Sequence, residues 1–222
     1  MRRVLVLALL ALALPMAAWA DIILVNQNGS VSISDMSGTG GLGTIGATTI
    51  DSTGSLLTQW AGVKAAAGHS LGSVSFSTGV LLSGSVRYGG TFSDTGSTFD
   101  VYGVGQWAKK WTGCPSCKNP ITLFSGGFYN GPILWSLTSA PGAANLTYTL
   151  TGDLIGQYYN GRTVTGTTTQ NLYSVAGQLN GGTGHIRMGG STIIVPEPGT
   201  LGLLGTGLLG IAGMFRRKLI GS

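Results

Sequence analysis

The Asn-Gly pairs at 130–131, 160–161 and 180–181 each stand between two short runs in which apolar residues alternate with small polar ones. Asparagine and glycine tolerate positive φ at both central positions of a type I′ turn, the turn whose twist matches that of flanking antiparallel strands. Asn160-Gly161 therefore predicts a hairpin over Leu154–Thr169. Asn130-Gly131 divides Ile121–Tyr129 from Ile133–Leu137, and Asn180-Gly181 divides Leu172–Leu179 from His185–Val195. Upstream, Val74 and Phe76 lie between serines, and Val80–Tyr88 and Ser97–Val104 read as further strands. Strands and turn signals that recur with little helix between them predict an all-β body, an antiparallel β-sandwich or barrel, over residues 73–195. No strict repeat is present, which argues against a solenoid.

Residues 21–72 carry a weaker pattern. Ile22–Val25 could pair as a strand, Val31 and Ile33 alternate with Ser32 and Ser34, and Ser37–Ile50 is Gly/Thr-rich and reads as a loop. In Leu56–Ala67 the residues Leu57, Trp60, Val63 and Lys64 recur at helical spacing, which predicts a short helix in an otherwise irregular segment.

Only 9% of the residues are charged, and glycine accounts for 39 of 222, so polarity comes from Ser, Thr and Asn, as suits exposed strands and turns. The basic pI of 9.4 invites a nucleic-acid reading. Five of the twelve basic residues, however, are Arg2, Arg3, Arg216, Arg217 and Lys218 at the chain ends. The seven left in the body face six aspartates, a balance of +1 with no footprint for nucleic acid.

The two ends read as targeting segments. Met1-Arg2-Arg3, the apolar run Val4–Leu14 and the small-x-small site Ala18-Trp19-Ala20 have the order of a secretory signal peptide over residues 1–20. The run is too short to span a bilayer core of about 30 Å. At the other end Pro196-Glu197-Pro198 precedes Gly199–Phe215, an apolar stretch without a charge, and then Arg216-Arg217-Lys218. At 1.5 Å per residue the stretch rises roughly 25 Å as a helix, enough to cross, and the basic cluster would stop transfer and stay cytoplasmic. Its glycines never fall four apart, so no GxxxG dimer face explains them.

A Pro-Glu-Pro motif, a short Gly/Leu-rich span and a terminal Arg-Arg-Lys cluster together resemble the PEP-CTERM sorting tail, over residues 196–222. The resemblance implies recognition by an exosortase-type membrane protease-transpeptidase, processing near the motif, and delivery to the cell surface or extracellular matrix. It assigns roles to Pro196, Glu197, Pro198 and Arg216–Lys218 and says almost nothing about the body. The two prolines would hold the motif extended, with Glu197 just outside the membrane.

Within the body, Gly68-His69-Ser70-Leu71-Gly72 matches the G-x-S-x-G pattern of a serine nucleophile, with His185 and Asp100 or Asp153 as partners on paper. The alternating Ser73–Ser77 that follows is the wrong context for a strand-to-helix elbow. Asp94-Thr95-Gly96-Ser97 spells an aspartic-protease loop, but no second copy supplies the other carboxylate. Cys114-Pro115-Ser116-Cys117, in a stretch read as an irregular loop over Trp107–Asn119, suits a local disulfide in an exported protein. A redox pair or a metal site are its alternatives, the latter with only His69 and His185 to complete it. Trp107 and Trp111 could form an aromatic platform for sugars. One member each of Phe128/Tyr129 and Tyr158/Tyr159 should face outward. Thr165, Thr167 and Thr169 line one strand face, a short row for ice binding.

These readings predict an exported envelope or extracellular protein with a structural, adhesive or matrix-associated role, without catalytic residues, metal or cofactor. Its expected partners are the membrane through the helix 199–215, an exosortase-type enzyme, and extracellular polysaccharide. A secreted hydrolase using Ser70 and a carbohydrate- or ice-binding module are the alternatives.

Overall fold

The computed structural model describes residues 22–35, 44–139, 145–175 and 186–196. Its strands are β1 (Ile22–Asp35), β2 (Thr48–Trp60), β3 (Val63–Lys64), β4 (Gly72–Ser77), β5 (Leu81–Ser85), β6 (Gly89–Phe92), β7 (Thr98–Gly103), β8 (Ile121–Leu137), β9 (Asn145–Tyr158), β10 (Thr163–Val175) and β11 (Ile186–Pro196). A helix, α1 (Gly105–Thr112), joins β7 to β8. Eight strands close an antiparallel barrel in the order β8-β7-β4-β2-β1-β11-β10-β9, with β9 pairing back onto β8. The β5–β6 hairpin is added outside this ring, where β6 pairs the last third of β8.

Closure leaves an interior that side chains must fill without crowding, so large residues face small ones. Phe76, Phe99, Phe124 and Phe128 form the centre, with successive ring centroids 6.2 Å apart. They fit because β9 carries inward glycines: the Phe128 ring lies 2.6 Å from where a Cβ on Gly152 would stand, and the Phe124 ring 2.6 Å from that of Gly156. A second aromatic pair, Trp135 and Tyr148, stacks at 4.7 Å. Both reach into the β5–β6 turn, the Trp135 indole donating to the Val86 carbonyl at 2.8 Å and the Tyr148 hydroxyl to the Arg87 carbonyl at 3.0 Å. These bonds hold the extra hairpin onto the barrel.

The all-β barrel agrees with the fold expected from the alternating runs, and several local expectations need correction. Residues 22–35 and 48–60 are two long strands of the ring rather than parts of an irregular segment, and Leu56–Ala67 is a hairpin rather than a helix. The cause is a bulge. The β1–β2 register skips Thr58, so Leu57 and Trp60 both point inward although they are three residues apart. One inserted residue thereby gives a strand the spacing of a helix. The two-residue turn with positive φ at both positions is Ala61 (47°) and Gly62 (83°).

Asn160-Gly161 does end a hairpin, but only Gly161 has positive φ and the connection runs over four residues, 159–162. The Asn160 side chain is used differently, its Oδ1 accepting from the Arg162 N–H at 3.1 Å. Asn130-Gly131 divides nothing: both residues have positive φ, yet they form a bulge within the continuous β8. There β8 exchanges β7 for β6 on one side while keeping β9 on the other. Asn180-Gly181 lies outside the described residues, and the strands flanking it, β10 and β11, are neighbours. The segment expected as a loop from Trp107 begins inside α1. Gly113 caps that helix with φ 66°, its N–H reaching the Lys109 and Lys110 carbonyls, and the two lysines in the last turn suit the helix dipole.

Candidate functional site

Between β1, β2, β10 and β11 the barrel interior is polar rather than aromatic. Asn26, Ser52, Ser55, Thr168, Gln170 and Thr192 are all buried there without a charge among them. Such groups are tolerable only when paired. The Asn26 amide donates to Ser55 Oγ at 2.8 Å and to Gln170 Oε1 at 3.0 Å, and Gln170 donates to Thr168 Oγ1 at 2.8 Å. The Thr168 and Thr192 hydroxyls share a bond of 2.7 Å. Asn26 Oδ1 and Ser52 Oγ have no partner among the described residues.

This network fixes the wall above it. Gln170 Oε1 lies 2.2 Å from where a Cβ on Gly190 would be, so position 190 accepts no side chain. One residue earlier, Gly189 faces outward, and a Cβ there would meet nothing closer than the Asn26 carbonyl at 3.4 Å. Opposite Gly189, β1 contains a bulge in which Asn28 has no partner on β11 and adopts φ 57°. Inward positions are therefore Leu24 and Asn26 before the bulge and Gly29, Val31 and Ile33 after it, and the consecutive side chains of Gln27 and Asn28 are both exposed. The result is an open groove of about 480 Å³ on the outer wall. Its floor is Gly189-Gly190, and its sides are Gln27, Asn28, Ser191, Asn171 and Tyr173.

The serine, aspartate and cysteine motifs singled out in the sequence lie elsewhere. Ser70 and His69 are in the turn before β4, so a strand and not a helix follows the G-x-S-x-G sequence. Leu71 is buried, its carbonyl accepting from the Val104 N–H and from the Trp107 indole at 2.9 Å. Asp100 is a cross-strand neighbour of Ser125, whose hydroxyl donates to it at 2.6 Å. The Tyr102 hydroxyl is pushed above its ordinary pKa by burial and, second, by that carboxylate. His185 lies outside the described residues. Asp94 serves the turn between β6 and β7: its carboxylate accepts from the Gly131 N–H at 3.3 Å, and its carbonyl accepts from the Ser97 N–H at 3.1 Å.

Cys114 and Cys117 are joined by a disulfide. They follow the carbonyl end of α1, with the Cys114 N–H on the Lys109 carbonyl at 3.0 Å. A helix end of this polarity disfavours a thiolate, the reverse of the N-terminal setting of low-pKa redox cysteines. Trp107 packs against the barrel core, and Trp111, one turn further along α1, is exposed. Phe128 and Tyr158 turn inward, while Tyr159 is exposed. Thr165, Thr167 and Thr169 lie on the outer face of β10, opposite Ile155, Asp153 and Thr151 of β9.

A closed barrel whose last strand runs straight into Pro196 defines a folded body carrying a terminal sorting sequence. The family model of the PEP-CTERM protein-sorting motif matches residues 195–218, so the chain carries that motif and is an exported protein sorted by an exosortase-type system. No curated protein and no solved structure matches the chain significantly. The expected signal peptide, the expected span 199–215 and the Arg216–Lys218 cluster lie outside the described residues. Among the described residues no helix is long and apolar enough to cross a membrane.

Proposed function

We propose that the barrel is a non-catalytic body delivered to the cell surface or its surrounding matrix, where it serves a structural or adhesive role in contact with extracellular polysaccharide. The observation that carries this reading is the sorting motif at 195–218, which gives the chain an exported destination independent of any chemistry in the body. Two properties of the body support it. Its polar surface is largely uncharged, suited to hydroxyl-rich surroundings, and its serine and aspartate motifs are engaged in turns and cross-strand pairs rather than grouped. In this reading the segment 199–215 holds the protein in the membrane, with Arg216–Lys218 on the cytoplasmic side, until processing near Pro196–Pro198 releases the body. The Cys114–Cys117 bridge acts as a local staple on the α1–β8 connection.

Mass spectrometry of the mature cell-associated protein tests the sorting step. A carboxy terminus near the motif is expected, and Pro196→Ala with Glu197→Ala and Pro198→Ala should leave the chain unprocessed in the membrane fraction. An intact 199–222 segment on all cell-associated protein would establish a plain anchor instead.

A further inference from the structure

We propose that the groove over Gly189-Gly190 is a binding site for a neutral saccharide. This deepens the reading of the body as a polysaccharide-associated module and rests on it. At about 480 Å³ the groove falls within the range of small-ligand sites. None of its ten lining residues carries a charge at neutral pH, which removes the attraction that an anionic or cationic ligand would need.

What the groove offers is amides, a hydroxyl and one aromatic ring. The side chains of Gln27, Asn28 and Ser191 have no hydrogen-bond partner among the described residues. Asn171 Oδ1 accepts from Thr149 Oγ1 at 3.1 Å, which fixes that amide and leaves its NH₂ for another acceptor. A carboxamide supplies donor and acceptor side by side, the complement of adjacent sugar hydroxyls, each of which both donates and accepts. Tyr173 is 54% exposed at one side of the groove. Its ring face carries partial negative charge and can meet the weakly positive C–H face of a pyranose.

The backbone is arranged for close approach. The β1 bulge places two consecutive amide side chains on the outer surface, where an unbroken strand would present one. Opposite it, two glycines leave the β11 backbone bare. At 190 the glycine is imposed by Gln170 from inside, whereas nothing inside imposes it at 189. A side chain at 189 would simply fill the groove. Gly189 is thus a residue that the fold does not require and the site does.

The test is affinity electrophoresis of the full chain in a detergent without a sugar headgroup, through gels containing galactomannan, laminarin or xylan as neutral polysaccharides and alginate as an anionic one. Retardation is expected in at least one neutral gel, with no retardation by alginate at moderate salt. Gly189→Val should abolish it, and Tyr173→Ala should weaken it about tenfold, the scale of one lost stacking contact. Both variants should keep the wild-type circular dichroism spectrum and unfolding midpoint. Retardation that survives Gly189→Val, occurs only in alginate, or fails in all three neutral gels overturns the proposal. Cell fractionation separates this from the sorting reading. Gly189→Val protein should still reach the cell surface, so loss of binding with normal delivery concerns the groove alone, and failed delivery of the wild type concerns the sorting reading alone.

Discussion

Replacing Gln170 by leucine probes the polar interior most directly. Wild-type Gln170 accepts one Asn26 N–H and donates to Thr168, and all three residues are buried. After Gln170→Leu the two threonine hydroxyls keep their mutual bond, and Asn26 keeps Ser55. One Asn26 N–H is then stranded beside an Oδ1 that already lacks a partner. A stranded buried donor costs about 1–3 kcal/mol, and the lost bond to Thr168 adds about 1 kcal/mol. The leucine methyl must also occupy the space over Gly190 filled by Oε1. The expected loss is about 2–4 kcal/mol.

With a urea m-value of about 2 kcal/mol/M, that loss moves the unfolding midpoint down by about 1–2 M, read from tryptophan fluorescence. The double variant Asn26→Leu/Gln170→Leu removes both sides of the broken contact and should recover to within about 1 kcal/mol of wild type, apart from the Ser55 hydroxyl. A Gln170→Leu midpoint within about 0.3 M of wild type would refute the reasoning, because water must then replace the glutamine and the interior is not dry.

Other substitutions separate backbone crowding, local stapling and ionisation. Gly72→Ala places a Cβ 1.8 Å from the Tyr102 carbonyl oxygen, forcing β4 from β7, and should cost more than about 4 kcal/mol. Gly68→Ala, at φ 76° with open space around it, should cost only about 1 kcal/mol in the same urea titration. Cys114→Ser/Cys117→Ser opens a loop of four residues and should cost at most about 2 kcal/mol, visible as faster amide exchange in 105–120 with the barrel strands unchanged. Tyr148 has its pKa raised by burial, opposed by Arg87 and reinforced by Tyr88. Its folded state therefore favours the neutral phenol, so this contribution is intact below pH about 10 and is lost as pH rises through the folded pKa. Tyr148→Phe should be less stable at neutral pH yet lose less stability between pH 9 and 11 in thermal melts.

The strands visible in the sequence were those with unbroken alternation. Gly72–Ser77 and Thr98–Gly103 bury every second residue along their length, and their outward positions are Ser, Thr, Asp and Tyr. The strand that this pattern misreads is the bulged β2. From Ile50 onward the buried positions of β2 are Ile50, Ser52, Ser55, Leu57 and Trp60, with steps of two, three, two and three. A period-2 search fails on that series, and a helical search half succeeds. The glycine-rich composition hid a second fact, that Gly152 and Gly156 are core positions completed by phenylalanine rings from β8. A glycine contributes nothing to an apolar pattern, so a strand whose core is filled from its neighbour looks empty. The disulfide partners were legible because only two cysteines exist, whereas the groove was not, since its residues come from β1, β10 and β11 and share only their lack of charge.

The bulges that concealed the first strands also have the most consequence for what the barrel can bind. A regular eight-stranded wall alternates strictly, so each strand gives the surface one residue in two, spaced about 7 Å apart, and no two neighbours converge. At Gln27-Asn28 the inserted residue breaks that rule, and Gly189 opposite removes the side chain that would otherwise fill the gap. Inserting a residue into a ring strand strands backbone polar groups and loosens the ladder. That cost is offset here by the Asn26–Gln170–Ser55 network on the inner side, directly beneath the groove. The interior polarity and the surface groove are therefore two faces of one local departure from the ideal barrel. If so, Gln170→Leu should weaken neutral-polysaccharide retention as well as stability, although Gln170 touches no ligand. Asn28→Gly, which keeps the positive φ and removes only the amide, should weaken retention with the urea midpoint unchanged.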